Sequence, residues 1–147
     1  MRLYRLSRFP QLDGMGGLYE SGRWHTIGHR VSYTAEHPAL ALAECLAHLK
    51  VSVASMPLGY EMATYEVLGG ASVDPAPALP HNWTSNPPTS QAVGNEWLAG
   101  NTSLLLPVPS ALVAGTNYLV NPMHAHAATH VRPVSSEPFW FDPRFAL

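Results

Sequence analysis

The sequence has little charge of either sign. Asp, Glu, Lys and Arg together make up 12% of its 147 residues, about half of the share in an average soluble domain. The formal net charge of −2 provides no basic surface of the kind that binds nucleic acid or anionic lipid. A surface so poor in charge is expected to be covered in part by a partner protein or by a second copy of the chain.

Cysteine and long apolar runs are also scarce. The single cysteine, Cys45, excludes an intramolecular disulfide and any metal site built from several cysteines. No apolar run approaches the roughly 20 residues that span a bilayer. The basic N-terminal residues are not followed by the apolar segment of a secretory signal, so a cytoplasmic location is expected. Apolar residues make up 46% and no repeat or linker divides the chain, so residues 1–147 are expected to form one domain.

Hydrophobic periodicity predicts an α+β fold with several short strands and two or three helices. The clearest helix is Pro38–Lys50, which has proline in its first turn and apolar residues at spacings of three and four. A second helix is expected to begin at a Thr89 or Ser90 cap and to end at Leu98. The Pro- and Ala-rich segment 69–88 is predicted to be a surface loop. Strands are predicted at residues 3–6, 30–33, 59–67, 104–108 and 129–134.

Glu44 is the only charged residue between Glu36 and Lys50. Most of its neighbours one turn away on the predicted helix are leucine or alanine, so its carboxylate is expected to be partly withdrawn from water. A carboxylate in such surroundings is a candidate for catalysis. The alternative is an exposed glutamate on the outer face of the helix, paired with His48 four residues on.

Arg23 lies between Gly22 and Trp24 in a predicted loop. A planar guanidinium with the backbone close by suits the recognition of phosphate. The alternative is an arginine that stacks on Trp24 and contributes only to packing. Both interpretations remain open on these residues alone.

Two other groups of residues are weaker candidates. His124, His126 and His130 have a spacing that superficially resembles a metal-binding tract, but no Cys, Asp or Glu nearby supports it, so no metal is expected. Ser110 follows a proline and lacks both the nucleophile elbow and an evident His–Asp pair. A serine hydrolase is therefore not indicated.

Six short motifs, in order and over nearly the whole chain, resemble those of the RES domain, a family named for an Arg, a Glu and a Ser. They are Gly22-Arg23-Trp24-His25 with Gly28 and Val31-Ser32-Tyr33, Ala39-Leu40-Ala41-Leu42-Ala43-Glu44, Gly94-Asn95-Glu96-Trp97-Leu98, Val108-Pro109-Ser110-Ala111, Asn117-Tyr118-Leu119-Val120-Asn121-Pro122-Met123-His124, and Phe139-Trp140-Phe141-Asp142-Pro143-Arg144.

The resemblance implies a fold similar to that of the ADP-ribosyltransferase toxins, with a central cleft that holds NAD⁺. It implies a bacterial toxin that breaks the nicotinamide–ribose bond, with water or inorganic phosphate as acceptor and without a metal. Transfer of ADP-ribose to a protein target is the first alternative, and a non-catalytic partner-binding module is the second. The implied partner is a helix-turn-helix antitoxin of the Xre type, and self-association is expected as well.

The resemblance also implies roles for individual residues. Arg23 would hold the phosphate or ribose side of NAD⁺, and Tyr33 would stack on the nicotinamide ring. Glu44 would stabilise the positive charge that develops on the ribose, and Ser110 would either contact the ligand or position Glu44. His25 stands where the family usually has Asn; because imidazole titrates near neutral pH, activity would depend on pH if this side chain touches the ligand.

Overall fold

The computed structural model describes residues 1–49 and 57–145. Its strands form one antiparallel sheet in the order β4-β5-β2-β1-β3-β6. The strands are β1 (Arg2–Ser7), β2 (Ser32–Ala35), β3 (Glu61–Val67), β4 (Leu105–Pro109), β5 (Thr116–Val120) and β6 (Val131–Pro138), and the helices are α1 (Pro38–Leu49), α2 (Pro87–Gly100) and α3 (Ala127–His130). The predicted α+β fold with two or three helices is confirmed.

The helices α1 and α2 pack on the same face of the sheet. Leu40 and Ala41 of α1 lie against Ala35 of β2, whereas Trp97 of α2 lies against Leu119 of β5. Ala35 is paired with Asn117, two residues from Leu119 along β5, and residues two apart in a strand face the same way. The central strands β2 and β5 therefore present one face between the two helices, and a separate core cluster that includes Leu3, Leu105 and Val120 covers the opposite face.

The predicted helices differ from the observed ones mainly at their ends. The predicted Thr89 or Ser90 cap of α2 is wrong, because the helix begins at Pro87, where proline lacks only an N–H that the first turn does not use. Ser90 is buried and its hydroxyl donates to the Arg23 carbonyl at 2.6 Å, so it joins the helix to the loop before β2. α1 matches its prediction to Leu49, and Lys50 lies outside the described residues. Within the described ranges, no helix is long and apolar enough to cross a membrane.

The predicted strands are close to the observed ones, with one omission. β2 lies two residues later than predicted, and β6 begins at Val131 because Thr129 belongs to α3. The segment 69–88 is mostly irregular, as predicted, with a short 3-10 turn at Trp83–Ser85. The sequence does not predict β5, because Asn is uncommon in strands and because buried and exposed residues do not alternate along this strand.

Candidate functional site

Glu44 lies half-buried on α1, where two side chains from the β4–β5 hairpin hold one of its oxygens. Glu44 Oε1 accepts a hydrogen bond from the Ser110 hydroxyl at 2.7 Å and another from Asn117 Nδ2 at 2.8 Å. His48 instead faces Glu20, with 3.8 Å between Nε2 and Oε1. The structure therefore does not show the alternative in which Glu44 pairs with His48 on the outside of the helix.

Ser110 is held in place by the turn that joins β4 to β5. Its amide donates to the Gly115 carbonyl at 2.9 Å, and its hydroxyl oxygen accepts the amide of Leu112 at 3.0 Å. The hydroxyl has a single proton, which it donates to Glu44. Of the two roles expected for Ser110, the structure shows the contact with Glu44.

Tyr33 lies on β2, and its hydroxyl is held by the loop that precedes the strand. The Trp24 amide donates to this hydroxyl at 3.0 Å, and the distance from the hydroxyl to His25 Nδ1 is 2.7 Å. Burial raises the pKa of Tyr33 well above its usual value, so the phenol keeps its proton. A side chain at Gly22 would place its Cβ 2.5 Å from the Tyr33 oxygen, which explains why glycine occupies this position.

His25 is buried, with 3% of its surface exposed. Its Nε2 lies 2.8 Å from the Glu20 carbonyl and must carry the hydrogen, so Nδ1 accepts the Tyr33 hydroxyl proton. Burial lowers the pKa of His25, which favours this neutral form. Both ring nitrogens are used within the protein, so the contact of His25 with a ligand stays a prediction that this geometry does not favour.

Arg5 is a further contributor to the position of Tyr33, and sequence reasoning missed it. Strands β1 and β2 share one residue pair, Tyr4 with Ala35, and then diverge. Across this gap Arg5 Nη1 donates to the Tyr33 carbonyl at 3.0 Å and Nε donates to the Phe9 carbonyl at 3.3 Å. Burial lowers the pKa of Arg5, and these carbonyls replace part of the water that its guanidinium has lost.

Arg23 is exposed beside a pair of tryptophan rings. Its Nη1 donates to the Thr84 carbonyl at 3.1 Å, and its guanidinium carbon lies 5.8 Å from the centre of the Trp83 ring. Trp83 in turn lies 5.3 Å from the buried Trp24 ring. The arginine therefore stacks on Trp83 rather than on Trp24. Among residues 1–49 and 57–145 no carboxylate pairs with it, so its other N–H groups can receive a phosphate.

The structure thus places the predicted site residues in two groups. Glu44 and Ser110 meet at one end of β5, Tyr33 and His25 are hydrogen-bonded to each other at β2, and the loop before β2 also carries Arg23, whose guanidinium lies against Thr84 and Trp83. The first group reaches β2 through Asn117, which is paired with Ala35, two residues from Tyr33. Two residues of strand span roughly 7 Å, so the backbone at Tyr33 lies about that far from the strand pair, Ala35 with Asn117, at which Glu44 is held.

Comparison with known proteins identifies the family. A sequence profile described as "RES domain" matches residues 2–142. The chain belongs to the RES domain family. It is 40% identical over 128 residues to Toxin Res of Pseudomonas putida, covering 86% of this chain and 88% of that protein. It is 36% identical to Toxin Res of Yersinia enterocolitica, and that match covers 98% of this chain and 99% of that protein. It is 32% identical to the Prs ADP-ribosylating toxin of a Sphingobium species, and that match covers 90% of this chain and 85% of that protein.

The RES fold is also shared with a solved structure. The crystal structure of the M. tuberculosis MbcT–MbcA toxin–antitoxin complex superimposes with a TM-score of 0.73 and 16% sequence identity. The match covers 97% of this chain and 85% of that one. At this identity the comparison shows a common fold.

One RES motif contributes to the site through packing rather than chemistry. Gly94 of α2 lies against the carbonyl of Trp24, so closely that a Cβ would overlap it. Three residues on, Trp97 is buried and donates from Nε1 to Ser103 Oγ at 2.8 Å. The Gly-x-x-Trp pattern therefore attaches the loop that carries Arg23 to helix α2.

The histidine tract forms an aromatic stack at the start of α3. The rings of His126 and His130 stack with their centres 4.5 Å apart, and the His124 ring meets His126 edge-on at 5.4 Å. In the part of the chain that the structure describes, no group of three or more His, Cys, Asp or Glu side chains is arranged to hold a metal ion.

Asn117 is, after Arg5, a second residue of the site that sequence reasoning missed. It begins the Asn-x-Leu-Val-Asn-Pro motif, seven residues after Ser110, and its contact with Glu44 links positions 73 residues apart. The available signal was a polar residue at the start of an otherwise apolar strand, next to the Val-Pro-Ser-Ala motif.

Proposed function

We propose that this RES domain is a toxin that binds NAD⁺ and cleaves its nicotinamide–ribose bond. The observation that carries the proposal is the environment of Glu44, a half-buried carboxylate held through one oxygen by two neutral donors. Breaking the N-glycosidic bond builds positive charge on the ribose. A fixed carboxylate stabilises that charge more strongly in the transition state than in the ground state, which is what catalysis requires.

The second group of residues supports NAD⁺ as the ligand. The exposed guanidinium of Arg23 suits the diphosphate, which it can contact through paired N–H groups. The Tyr33 ring is held by its hydroxyl and by its backbone carbonyl, and its face is suited to the cationic nicotinamide ring. Binding would require no metal, because arginine supplies the positive charge.

The beginning of α1 and the β4–β5 turn line an open groove about one helical turn from Glu44. The groove has a volume of about 330 Å³, and its lining includes Leu40, Ala43 and Val113 together with Glu36 and His37. Apolar walls with a few polar groups are typical of small-molecule sites.

The acceptor for ADP-ribose is proposed to be water or inorganic phosphate, so the chain would act as an NAD⁺ glycohydrolase or phosphorylase. A protein acceptor is the second candidate, and the name of the Sphingobium relative, an ADP-ribosylating toxin, favours it. Both reactions break the same bond and require the same carboxylate. They differ in products, which are free ADP-ribose or its 1-phosphate in the first case and a modified protein in the second.

The proposed partner is an antitoxin of the helix-turn-helix Xre type. The M. tuberculosis structure with the same fold is a toxin–antitoxin complex, and a low share of charged residues suits a surface that a partner covers. Two exposed apolar side chains, Leu112 and Val113, lie on the turn next to Ser110. An antitoxin that covers this turn would also cover the groove that Val113 and Leu40 line.

The test is release of nicotinamide from NAD⁺ by the purified chain, with and without phosphate, for the parent and for Glu44→Gln. Gln keeps a carbonyl oxygen that can accept both hydrogen bonds, so the variant removes charge and preserves geometry. We expect its kcat to fall by about a hundredfold or more. Glu96→Gln on the exposed face of α2 is the matched control and keeps the parent rate.

Two results would contradict the proposal: no nicotinamide from the parent in either buffer, or equal rates for the parent and Glu44→Gln. Labelled NAD⁺ added to cell extract separates the acceptors, because a discrete modified band indicates protein transfer. If Glu44→Gln is as toxic to cells as the parent, the chain acts as a non-catalytic binding module instead.

A further inference from the structure

Asn117 is an asparagine in an interior strand, where this residue type is uncommon. Its backbone is paired with Ala35 of β2 on one side and with Val108 of β4 on the other. The strand is therefore held on both edges, and the side chain projects from a rigid position. From there Nδ2 donates to Glu44 Oε1 at 2.8 Å.

The other half of the same amide is unpaired. Asn117 Oδ1 is buried and accepts no hydrogen bond within the described part of the chain, a state that lowers folding stability because its lost hydration is not replaced. Rotating the amide by 180° would place Oδ1 against Glu44 Oε1, two acceptors in contact. The contact with Glu44 thus determines the orientation of the amide and leaves its oxygen without a partner.

We infer that Asn117 is a positioning residue for Glu44. Its amide makes that contact although its unpaired Oδ1 lowers the folding stability of the protein. The inference rests on the proposed function of Glu44. Ser110 and Asn117 approach the same carboxylate oxygen from two segments of the hairpin. Two donors on Oε1 fix the rotation of the carboxylate. No described residue donates to Oε2, which under the proposed function would face the reacting ribose.

Asn121 is a matched control within the same strand motif. It is buried like the Asn117 amide, but both ends of its side chain are paired: Nδ2 donates to Asn101 Oδ1 at 2.8 Å, and Oδ1 accepts the Met123 amide at 3.0 Å. It has no contact with Glu44. A merely structural asparagine is expected to behave like Asn121.

The experiment compares Asn117→Leu with Asn121→Leu in the full chain, by kcat and KM for nicotinamide release and by Tm. For Asn117→Leu we expect kcat to fall by about ten- to hundredfold with KM within about threefold, and Tm to stay equal or rise, because leucine removes the unpaired oxygen. For Asn121→Leu we expect a lower Tm with unchanged kcat at temperatures where it is folded. An unchanged kcat in Asn117→Leu, or a lower Tm without loss of kcat, would overturn the inference.

A conservative variant covers the case in which leucine prevents folding. Asn117→Asp places a second carboxylate beside Glu44, and two like charges at this distance resist joint ionisation. We expect the acidic limb of its kcat profile to move to higher pH than in the parent. A profile with the parent's limbs would overturn the positioning role.

If the parent releases no nicotinamide, that result refutes only the proposed function. A stability measurement then still tests the inference about Asn117. In a Glu44→Ala background, Asn117→Leu no longer breaks a hydrogen bond. We therefore expect it to raise Tm by more in that background than in the parent. Equal shifts in the two backgrounds would show that the two side chains are not coupled.

Discussion

Replacing Gly94 by alanine is expected to destabilise the protein, although the same change in most helices stabilises them. Alanine in a helix interior is favoured over glycine by about 1 kcal/mol. At Gly94 an added Cβ would overlap the Trp24 carbonyl oxygen and lie 2.7 Å from the carbonyl carbon. Both are backbone atoms, so no side-chain rotation can relieve the contact.

The magnitude follows from the displacement that the contact requires. The carbonyl oxygen is the nearer of the two atoms, and because ordinary heavy-atom contacts are above about 3 Å, α2 and the loop at Trp24 must separate by more than about 1 Å. Overpacking costs about 1–3 kcal/mol, and an overlap between two backbone groups lies at the upper end of that range, about 3 kcal/mol. After the helix-propensity gain of about 1 kcal/mol the net loss is about 2 kcal/mol, and at about 2–4 °C per kcal/mol for a chain of this length we expect Tm to fall by about 4–8 °C.

The assay is thermal and urea unfolding, with Gly100→Ala as the matched control. Gly100 is in the same helix, and a Cβ there meets nothing within 4 Å, so its Tm is expected to stay equal or rise slightly. Because the displaced loop carries Arg23, NAD⁺ affinity of Gly94→Ala should also weaken. If Gly94→Ala raises Tm as much as Gly100→Ala does, the close packing of α2 on Trp24 is refuted.

Three further predictions concern His25, Tyr33 and Ser110 of the candidate site. Burial lowers the pKa of His25, so below the ordinary value of about 6.5 the unfolded chain binds the proton more readily, and the free energy of unfolding decreases as the pH is lowered. In urea unfolding at pH 7.5, 6.5 and 5.5, His25→Asn should lose less stability than the parent, and parallel curves would contradict this. Tyr33→Phe leaves the Trp24 amide without its acceptor and should lower the free energy of unfolding in urea by about 1–3 kcal/mol, while the NAD⁺ affinity measured by calorimetry stays within about threefold of the parent. A larger loss of affinity would mean that the hydroxyl, and not the ring face, contacts the ligand. Ser110→Ala should lower kcat about tenfold with unchanged NAD⁺ affinity, because its proton goes to Glu44; weaker binding with unchanged kcat would place the hydroxyl on the ligand instead.

The elements that could be predicted from the sequence are those whose signals are local. Helix α1 begins at Pro38 and has apolar residues at helical spacing, and both features are visible within a dozen residues. β5 has no comparable signal, because it starts with Thr and Asn and becomes a strand through its pairing with β2 and β4. The beginning of α2 was misplaced for a related reason. Ser90 has the chemistry of a cap, but its hydroxyl is used by the distant carbonyl of Arg23.

The residues of the candidate site also divide into those with a local signal in the sequence and those without one. Glu44 is recognisable as a lone charge in an apolar helix, and the resemblance to the RES family implies the proposed roles of Arg23, Tyr33 and Ser110. Their partners depend on contacts between distant parts of the chain: Ser110 and Asn117 reach Glu44 across 66 and 73 residues. No local pattern encodes these distances, so the second donor to Glu44 became visible only in the folded chain.

The scarcity of charge, which first suggested a covered surface, has a second consequence at Glu44. Within residues 1–49 and 57–145, no ion pair involves this carboxylate; Ser110 and Asn117, both neutral, hold it. A cation at about 4 Å would attract the carboxylate by several kcal/mol at the effective dielectric of a protein surface, and it would oppose the positive charge that develops on the ribose. Neutral donors fix the oxygen without cancelling its charge. Under the proposed function, a carboxylate held in this way would keep its full electrostatic effect for the reacting ribose, because among residues 1–49 and 57–145 no cation pairs with it to compete.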